Sequence, residues 1–250
     1  MALMAACSDD DTFTTSRSNL LSFQTDTLRL DTTFSNVPTS TKTFWVYNRS
    51  GDGLRLNSVQ LEQGNQTGFR VNVDGVELSA ANGYQANGLE VRDKDSIRVF
   101  VEMTSPRNNA TTPQLLTDNL AFTLESGVQQ KVNLRIYSWD AELVKGRKIT
   151  SNTTLTGIRP IVFQDTLKVE AGATLTIPAG MTVYFSNKAA IDVYGTLHCE
   201  GTADKPVTLR GDRLDKLFPY LPYDRVSGQW HGIRLHLETG RTHQIRVHLA

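Results

Sequence analysis

An all-β chain is what this sequence predicts, and three observations carry it. Thr, Asn, Asp, Ser and Gly are plentiful, while no stretch sustains the i, i+3, i+4 apolar spacing of a long helix. Apolar and polar residues alternate in short runs from about residue 23 to 140. From about residue 155 the alternation changes to apolar pairs that recur at a fixed step. The first pattern predicts a two-sheet sandwich over 23–140, and the second a stack of short coils, an incomplete β-helix, over 150–234.

The sandwich strands are read in order. Leu28-Arg29-Leu30-Asp31 opens the series, followed by Phe44-Trp45-Val46-Tyr47 and Leu54-Arg55-Leu56. Phe69-Arg70-Val71-Asn72-Val73 and Ile97-Arg98-Val99-Phe100-Val101 alternate cleanly, as do Leu120–Leu124 and Val132–Ile136. Gly51-Asp52-Gly53, Asp74-Gly75 and Ser126-Gly127 supply turns that tolerate positive φ. About seven strands in little more than a hundred residues fit two packed antiparallel sheets. The Tyr47-Asn48 strand end and the Asp118–Phe122 run resemble immunoglobulin-like modules of bacterial surface proteins.

In the second region Leu167/Val169, Leu175/Ile177, Val183/Phe185 and Ile191/Val193 each fall eight residues after the last. Leu197/Cys199 and Val207/Leu209 continue with a six- and a ten-residue step. Three such strands make one coil, so Leu167 is expected under Ile191, Leu175 under Leu197 and Val183 under Val207. A strand with two inward residues buries little alone, and stability must come from stacking like side chains. The phrase Gly172–Gly180, with Val193–Leu197 after it, resembles the opening coils of right-handed parallel β-helices. Phe218–Tyr223 reads as a loop bulging from the coil, and Gly228–Ile233 as re-entry into another.

Composition limits the function classes. The 250 residues carry 26 basic and 26 acidic side chains, so no global field draws the chain to nucleic acid or an anionic membrane. Hydrophobic residues make up 39%, enough for a core, but no apolar run is long enough to span a bilayer. The cysteines are Cys7 and Cys199. No disulfide framework is expected if Cys7 is modified.

Leu3-Met4-Ala5-Ala6-Cys7 resembles a bacterial lipobox, and Ser8-Asp9-Asp10-Asp11 resembles the surface-export signal of Bacteroidetes lipoproteins. That resemblance implies an acylated Cys7 as the first mature residue and an outer-membrane, cell-surface location. Residues 1–7 are then the end of a signal peptide too short to hold its apolar stretch, with Met1 an internal methionine of a longer reading frame. Residues 8–22, rich in Asp, Thr and Ser, read as a flexible tether. From Cys7 to about Gly232 the chain resembles Bacteroidetes lipoproteins in which a sandwich precedes a β-helix.

Residues 235–250 point elsewhere. Gly240-Arg241-Thr242-His243-Gln244-Ile245-Arg246, continuing to His248, is similar to a signature of the RluA-type pseudouridine synthases, cytoplasmic RNA-modifying enzymes. The resemblance implies that Arg246 would pair with a catalytic aspartate. That aspartate belongs to a His-Arg-Leu-Asp motif, whereas Arg213-Leu214-Asp215 here follows Asp212 and lies only about two dozen residues before the tail. Asp215 is therefore expected to be a loop carboxylate. Two compartments conflict in one chain, so a chimeric join near Arg234 is expected, with the tail not functional.

The remaining candidates are read as structural. Cys199 holds an inward position and is expected to be a small buried thiol, not a nucleophile. Asp165, Glu170, Asp192 and Glu200 read as solvated outward residues, although polysaccharide lyases on β-helices use such carboxylates with calcium. His231, His236, His243 and His248 cluster late in the chain without the spacing of a closed metal shell. The sequence thus leads to a surface lipoprotein fragment with a non-catalytic adhesion, glycan-binding or structural role. No catalytic residue, metal or cofactor is expected. The expected partners are the outer membrane through Cys7 and glycans or surface proteins, but not nucleic acid. Two alternatives stand beside it: a carbohydrate-active β-helix enzyme lacking its catalytic coils, and a fragment or fusion of a pseudouridine synthase.

Overall fold

The computed structural model describes residues 12–64 and 67–236, so Cys7 and the Gly240–Arg246 motif lie outside the described residues. Its regular elements are strands and two three-residue 3-10 turns, and the fold class is all-β as the sequence predicts.

Ten strands form the first region: β1 Leu21–Phe23, β2 Thr27–Phe34, β3 Lys42–Asn48, β4 Leu54–Leu61, β5 Phe69–Val73, β6 Val76–Glu77, β7 Gln85–Val91, β8 Ser96–Met103, β9 Gln114–Leu124 and β10 Gln129–Trp139. They make two five-stranded sheets, ordered β1-β3-β8-β5-β6 and β2-β10-β9-β4-β7. Alternation sets which side faces in. In β8 the residues Ile97, Val99, Val101 and Met103 are buried, and the intervening Arg98 and Phe100 face solvent. The inward residues of both sheets share one core, with Phe44, Phe69, Leu56, Phe122 and Leu134 at its centre. Phe23 meets Phe122 edge-on at 5.0 Å, the geometry aromatic quadrupoles favour.

Three strands escape the sequence pattern: β1, the two-residue β6 and β7. Leu21 and Ser22, read as the end of the tether, pair with Asn48 and Tyr47, and Leu21 is buried. The ordered chain therefore starts earlier than expected, because one buried leucine and three ladder pairs suffice to hold a short edge strand. Strand β7 runs through Asn87-Gly88, which reads as a hairpin turn. Gly88 sits inside the strand at φ +66, a conformation glycine adopts without a Cβ penalty, on an edge strand paired only to β4.

The second region is a succession of very short strands: β11 Glu142–Val144, β12 Lys148–Ile149, β13 Thr153–Thr154, β14 Ile161–Phe163, β15 Leu167–Val169, β16 Thr174–Ile177, β17 Thr182–Phe185, β18 Ile191–Val193, β19 Thr196–Cys199 and β20 Thr208–Gly211. A hairpin of β21 Lys216–Phe218 and β22 Leu221–Pro222 follows, then β23 Ile233–Leu235. Every third strand pairs in parallel, giving the orders β11-β14-β17-β20, β12-β15-β18-β23 and β13-β16-β19. The coiled pattern thus begins at Glu142, before the expected start at 150. Its first strands are too short and too polar to show a period.

Register tests the stacking directly. Leu167 pairs with Ile191 and Leu175 with Leu197, as the eight-residue step requires. Val183 pairs with Leu209, not Val207. The two-residue slip has a local cause: Thr202–Lys205 closes a tight turn through mutual backbone hydrogen bonds, and Pro206 has no N–H to give a ladder. The strand starts after it. Beyond β20 the loop at 218–223 protrudes as a hairpin, and β23 rejoins the coil beside β18.

The coil interior is a continuous column of Ile149, Leu155, Ile161, Phe163, Leu167, Val169, Leu175, Ile177, Val183, Phe185, Ile191 and Val193. Phe163 and Phe185 stack at 5.7 Å, and Trp230 lies on Phe185 at 4.3 Å and 13°. Gly211 is the register partner of Phe185 and offers no side chain there, so the Trp230 ring takes that place. Gly195 marks the tightest approach. A Cβ on it would stand 2.2 Å from the Ala173 carbonyl oxygen and 2.4 Å from that of Glu170.

By packing, the described residues up to Leu30, Pro38–Pro106 and Leu115–Tyr137 form one unit. Asp31–Val37, Arg107–Gln114 and the residues from Ser138 form the other. Within the second unit Phe34 is fully buried and meets Trp139 and Tyr184 edge-on, each at 4.9 Å.

Candidate functional site

Three clusters of chemistry-bearing side chains stand out among the described residues. The first is the solvent face of the β1-β3-β8-β5-β6 sheet. Period-two alternation that buries Phe44, Val46, Val99 and Val101 turns Trp45, Tyr47, Arg98, Phe100 and Glu102 outward. Trp45 stands directly across from Arg98, and Thr43 across from Phe100. The Arg98 guanidinium lies over both rings, 5.2 Å from the Trp45 centroid and 5.0 Å from that of Phe100. Arg49 lies 4.7 Å over Tyr47. Each such cation–π contact is worth about 0.5–1 kcal/mol at an exposed site. On the same face Arg70 donates to Glu102 and to Thr104 Oγ1, both at 2.8 Å, and Thr41 Oγ1 donates to Glu102. The Thr41 hydroxyl, then the Arg70 charge, hold the Glu102 carboxyl below its usual range. The result is a ring-lined, charged, rigid surface built on strands.

The second cluster surrounds Asp215. It lies in a loop, as expected, but is not solvated: it is 3% exposed and takes a bidentate pair from Arg213, Nε at 2.8 Å and Nη2 at 2.7 Å. Arg213 in turn lies 4.1 Å over the Tyr223 ring. A buried carboxylate must be paired, and the fork geometry of arginine supplies both bonds. Beside it, burial pushes the Asp212 carboxyl up, against the Ser186 hydroxyl that donates at 2.6 Å and pulls it down. Asp215 is thus enclosed as well as paired, leaving little of it for a substrate.

The third cluster is the outward row of the β12-β15-β18-β23 sheet. Lys168 pairs with Glu170 at 3.1 Å and lies 4.6 Å over Tyr194, whose other contact is a parallel stack with His236 at 4.1 Å. Arg234 grips Asp192 through Nε and Nη2. Glu170 and Asp192, read as solvated, are therefore ion-paired, while Asp165 and Glu200 are exposed. Among the described residues no three His, Cys, Asp or Glu side chains gather to hold a metal ion. No helix among them is long and apolar enough to cross a membrane.

Cys199 departs from expectation. It stacks over Ile177 in register, at an inward position, yet is exposed. Among the described residues no strand of the β13-β16-β19 sheet lies over it. The partial desolvation that remains pushes its thiol up, which leaves it a poor nucleophile at neutral pH. Sequence pattern locates the Trp45 and Phe100 faces through alternation. It does not show that Arg98 bridges them, because cross-strand register is not visible in either strand alone.

No protein-family model matches the chain, and no curated protein matches it. Solved structures share the β-sandwich. A protein of unknown function from Porphyromonas gingivalis W83 is 11% identical over 53% of this chain and 60% of its own, with a TM-score of 0.34. The ASH/PapD-like domain of human CEP192 is 9% identical over 49% of this chain and 87% of its own, with a TM-score of 0.31. A family 123 glycoside hydrolase from Clostridium perfringens is 6% identical over 48% of this chain, with a TM-score of 0.32. The chain spans only 26% of that hydrolase. These likenesses bear on the fold alone.

Proposed function

We propose that the chain is part of a bacterial surface lipoprotein, anchored through an acylated Cys7, that acts by non-catalytic adhesion or glycan binding. On this reading the parallel coils open a right-handed β-helix, which serves as a rigid support. The observation that carries the binding role is the Trp45–Arg98–Phe100 face, a preorganised array of rings and charges exposed on a sheet rather than buried in it. Rigid aromatic and arginine side chains are what binding surfaces concentrate. The ion pairing of Glu170, Asp192 and Asp215 leaves the described coils without free carboxylates converging on one face, so the carbohydrate-active alternative would need a site on coils outside this sequence. The burial of Asp215 weighs equally against the pseudouridine synthase.

The test is anchorage and exposure in the source cell. The reading expects palmitate incorporation that a Cys7→Ser change abolishes, outer-membrane fractionation, and digestion by protease added to intact cells. A cytosolic, unlabelled, protease-shielded chain would contradict it. The tail stays part of the proposal as a join to foreign coding sequence. The proposed join stands near Arg234, within strand β23. Single long sequencing reads across codons 225 to 250 that leave this sequence there and continue into coil-like repeats support it.

A further inference from the structure

A shallow depression of about 170 Å³ opens on the solvent face of the first sheet, lined by Thr41, Arg70, Asn72, Glu77, Phe100 and Glu102. The geometry points to a subsite for one ring of a neutral, hydroxyl-rich glycan, with Asn72, Arg70 and Glu102 as the hydrogen-bonding groups and Phe100 as the apolar wall. This rests on the glycan-binding reading above and assigns it a place and a class of ligand.

Several properties of the depression support the assignment. Its polar groups are planar and bidentate: a guanidinium, an amide and two carboxylates, which can bridge neighbouring hydroxyls. Three of them are held in place before any ligand arrives. Arg70 is fixed by Glu102 and Thr104, Glu102 by Thr41 and Arg70, and the Asn72 carbonyl oxygen accepts from the Gly75 N–H at 2.9 Å. Little side-chain entropy is then lost on binding. Fixing the Asn72 oxygen leaves its NH₂ directed by the amide plane, with donors to offer.

Charge decides the class. Glu77 and Glu102 line the depression with a single cation, Arg70, which is already paired to Glu102, and Arg98 stands beside Phe100 outside it. An anionic sugar, phosphate or sulfate would meet two carboxylates, and an apolar ligand would strand four polar groups. Phe100 offers a ring against which the less polar face of a sugar ring packs. Size agrees: enclosed small-molecule sites run to about 300–1,000 Å³, so this volume suits one unit of a longer chain.

The test is a printed array of neutral and of sialylated or sulfated oligosaccharides, probed with the full chain, and titration calorimetry on the strongest neutral hit. Asn72→Ala and Phe100→Ala are the site variants, and Tyr220→Ala, on the exposed hairpin, is the control. Thermal melts check that all three stay folded. The inference expects neutral glycans to bind, with Kd raised at least tenfold in each site variant and less than twofold in the control. Neutral binding that survives both site variants would overturn the subsite and leave the glycan-binding reading standing. Binding of anionic glycans only would overturn the ligand class. No binding by the unaltered chain would overturn both the subsite and the reading beneath it.

Discussion

The sandwich and the coil solve the same burial problem in opposite ways. Sandwich strands such as β8 and β10 are 8 and 11 residues long and bury four and three apolar side chains into one shared core. Coil strands are two to four residues long, bury about two side chains apiece, and meet only the strands one coil before and after. In the first, each core residue touches material from distant parts of the sequence. In the second, each touches its counterpart in the neighbouring coil, and stability is a sum of neighbour terms. Damage to the sandwich should therefore spread through its core, and damage to the coil should stay near the altered strand.

The largest effect is expected in the sandwich. Phe122 is fully buried at its centre against Phe23. Phe122→Ala should cost about 3–5 kcal/mol. Denaturant melts combined with hydrogen exchange should show lost protection across both sheets. Loss confined to β9 would break the comparison.

Next comes the coil. Gly195→Ala forces a Cβ against two backbone carbonyl oxygens that no side-chain rotation can move. The cost is expected to reach about 3 kcal/mol. Exchange should rise most in β16, β18 and β19, which flank the turn, and little in β11 and β14.

Titration sharpens the contrast, because each unit holds a buried aspartate and the two shift in opposite senses. Burial pushes Asp118 up, outweighing the bonds it accepts from the Gln63 and Asn119 N–H groups. A raised folded pKa gives stability that is present at low pH and lost as pH rises through the folded value. For Asp140 burial also pushes up, but the Asn108 and Asn109 N–H groups and the nearby Arg159 charge outweigh it, and the carboxyl is held down. Its contribution is present above the unfolded value and lost as pH falls through the folded one. Asp118→Asn keeps the oxygen that accepts both N–H groups. It should equal or exceed the unaltered chain in stability at pH 7, with the gain closing toward acid. Asp140→Asn should lose about 1–3 kcal/mol at pH 7, with the loss shrinking toward acid. Melts of both variants between about pH 2 and 7 check the two signs together, Asp118 through a change above the ordinary carboxylate range and Asp140 through one below it.

The smallest effect is chemical. Cys199 stacks on Ile177 in the last described strand of its sheet, exposed but with a raised thiol. It should be alkylated without denaturant, more slowly than free cysteine at pH 7, with no change in the melt. Labelling only after unfolding would show that the column continues over it.

How much of this was legible differs between the two regions. Alternation alone placed β5 to the residue and put Trp45, Arg98 and Phe100 on an outward face. It missed β7, because Asn87-Gly88 carries the signature of a turn and only pairing with β4 makes it a strand. In the coil the eight-residue step set two of three stacking pairs correctly and slipped on Val183, where a turn and a proline displaced the strand. The outward ion pairs were not legible: Lys168 with Glu170 and Asp192 with Arg234 depend on which strands become neighbours. Asp215 looked like a surface loop carboxylate, and only the burial of its arginine partner beside it explains why it is enclosed. The depression beside Phe100 draws on β5 and β8, strands almost thirty residues apart in sequence, and no local pattern announces it.

The measurement that bears most directly on the contrast is residue-resolved native-state hydrogen exchange on the full chain. Strands of both sandwich sheets should exchange through one common opening, while coil protection should be graded. It should be highest in β15, β16 and β17, which have partners on both sides, and fall through β19 and β20. Uniform protection along the coil, or two sandwich sheets opening independently, would contradict the account.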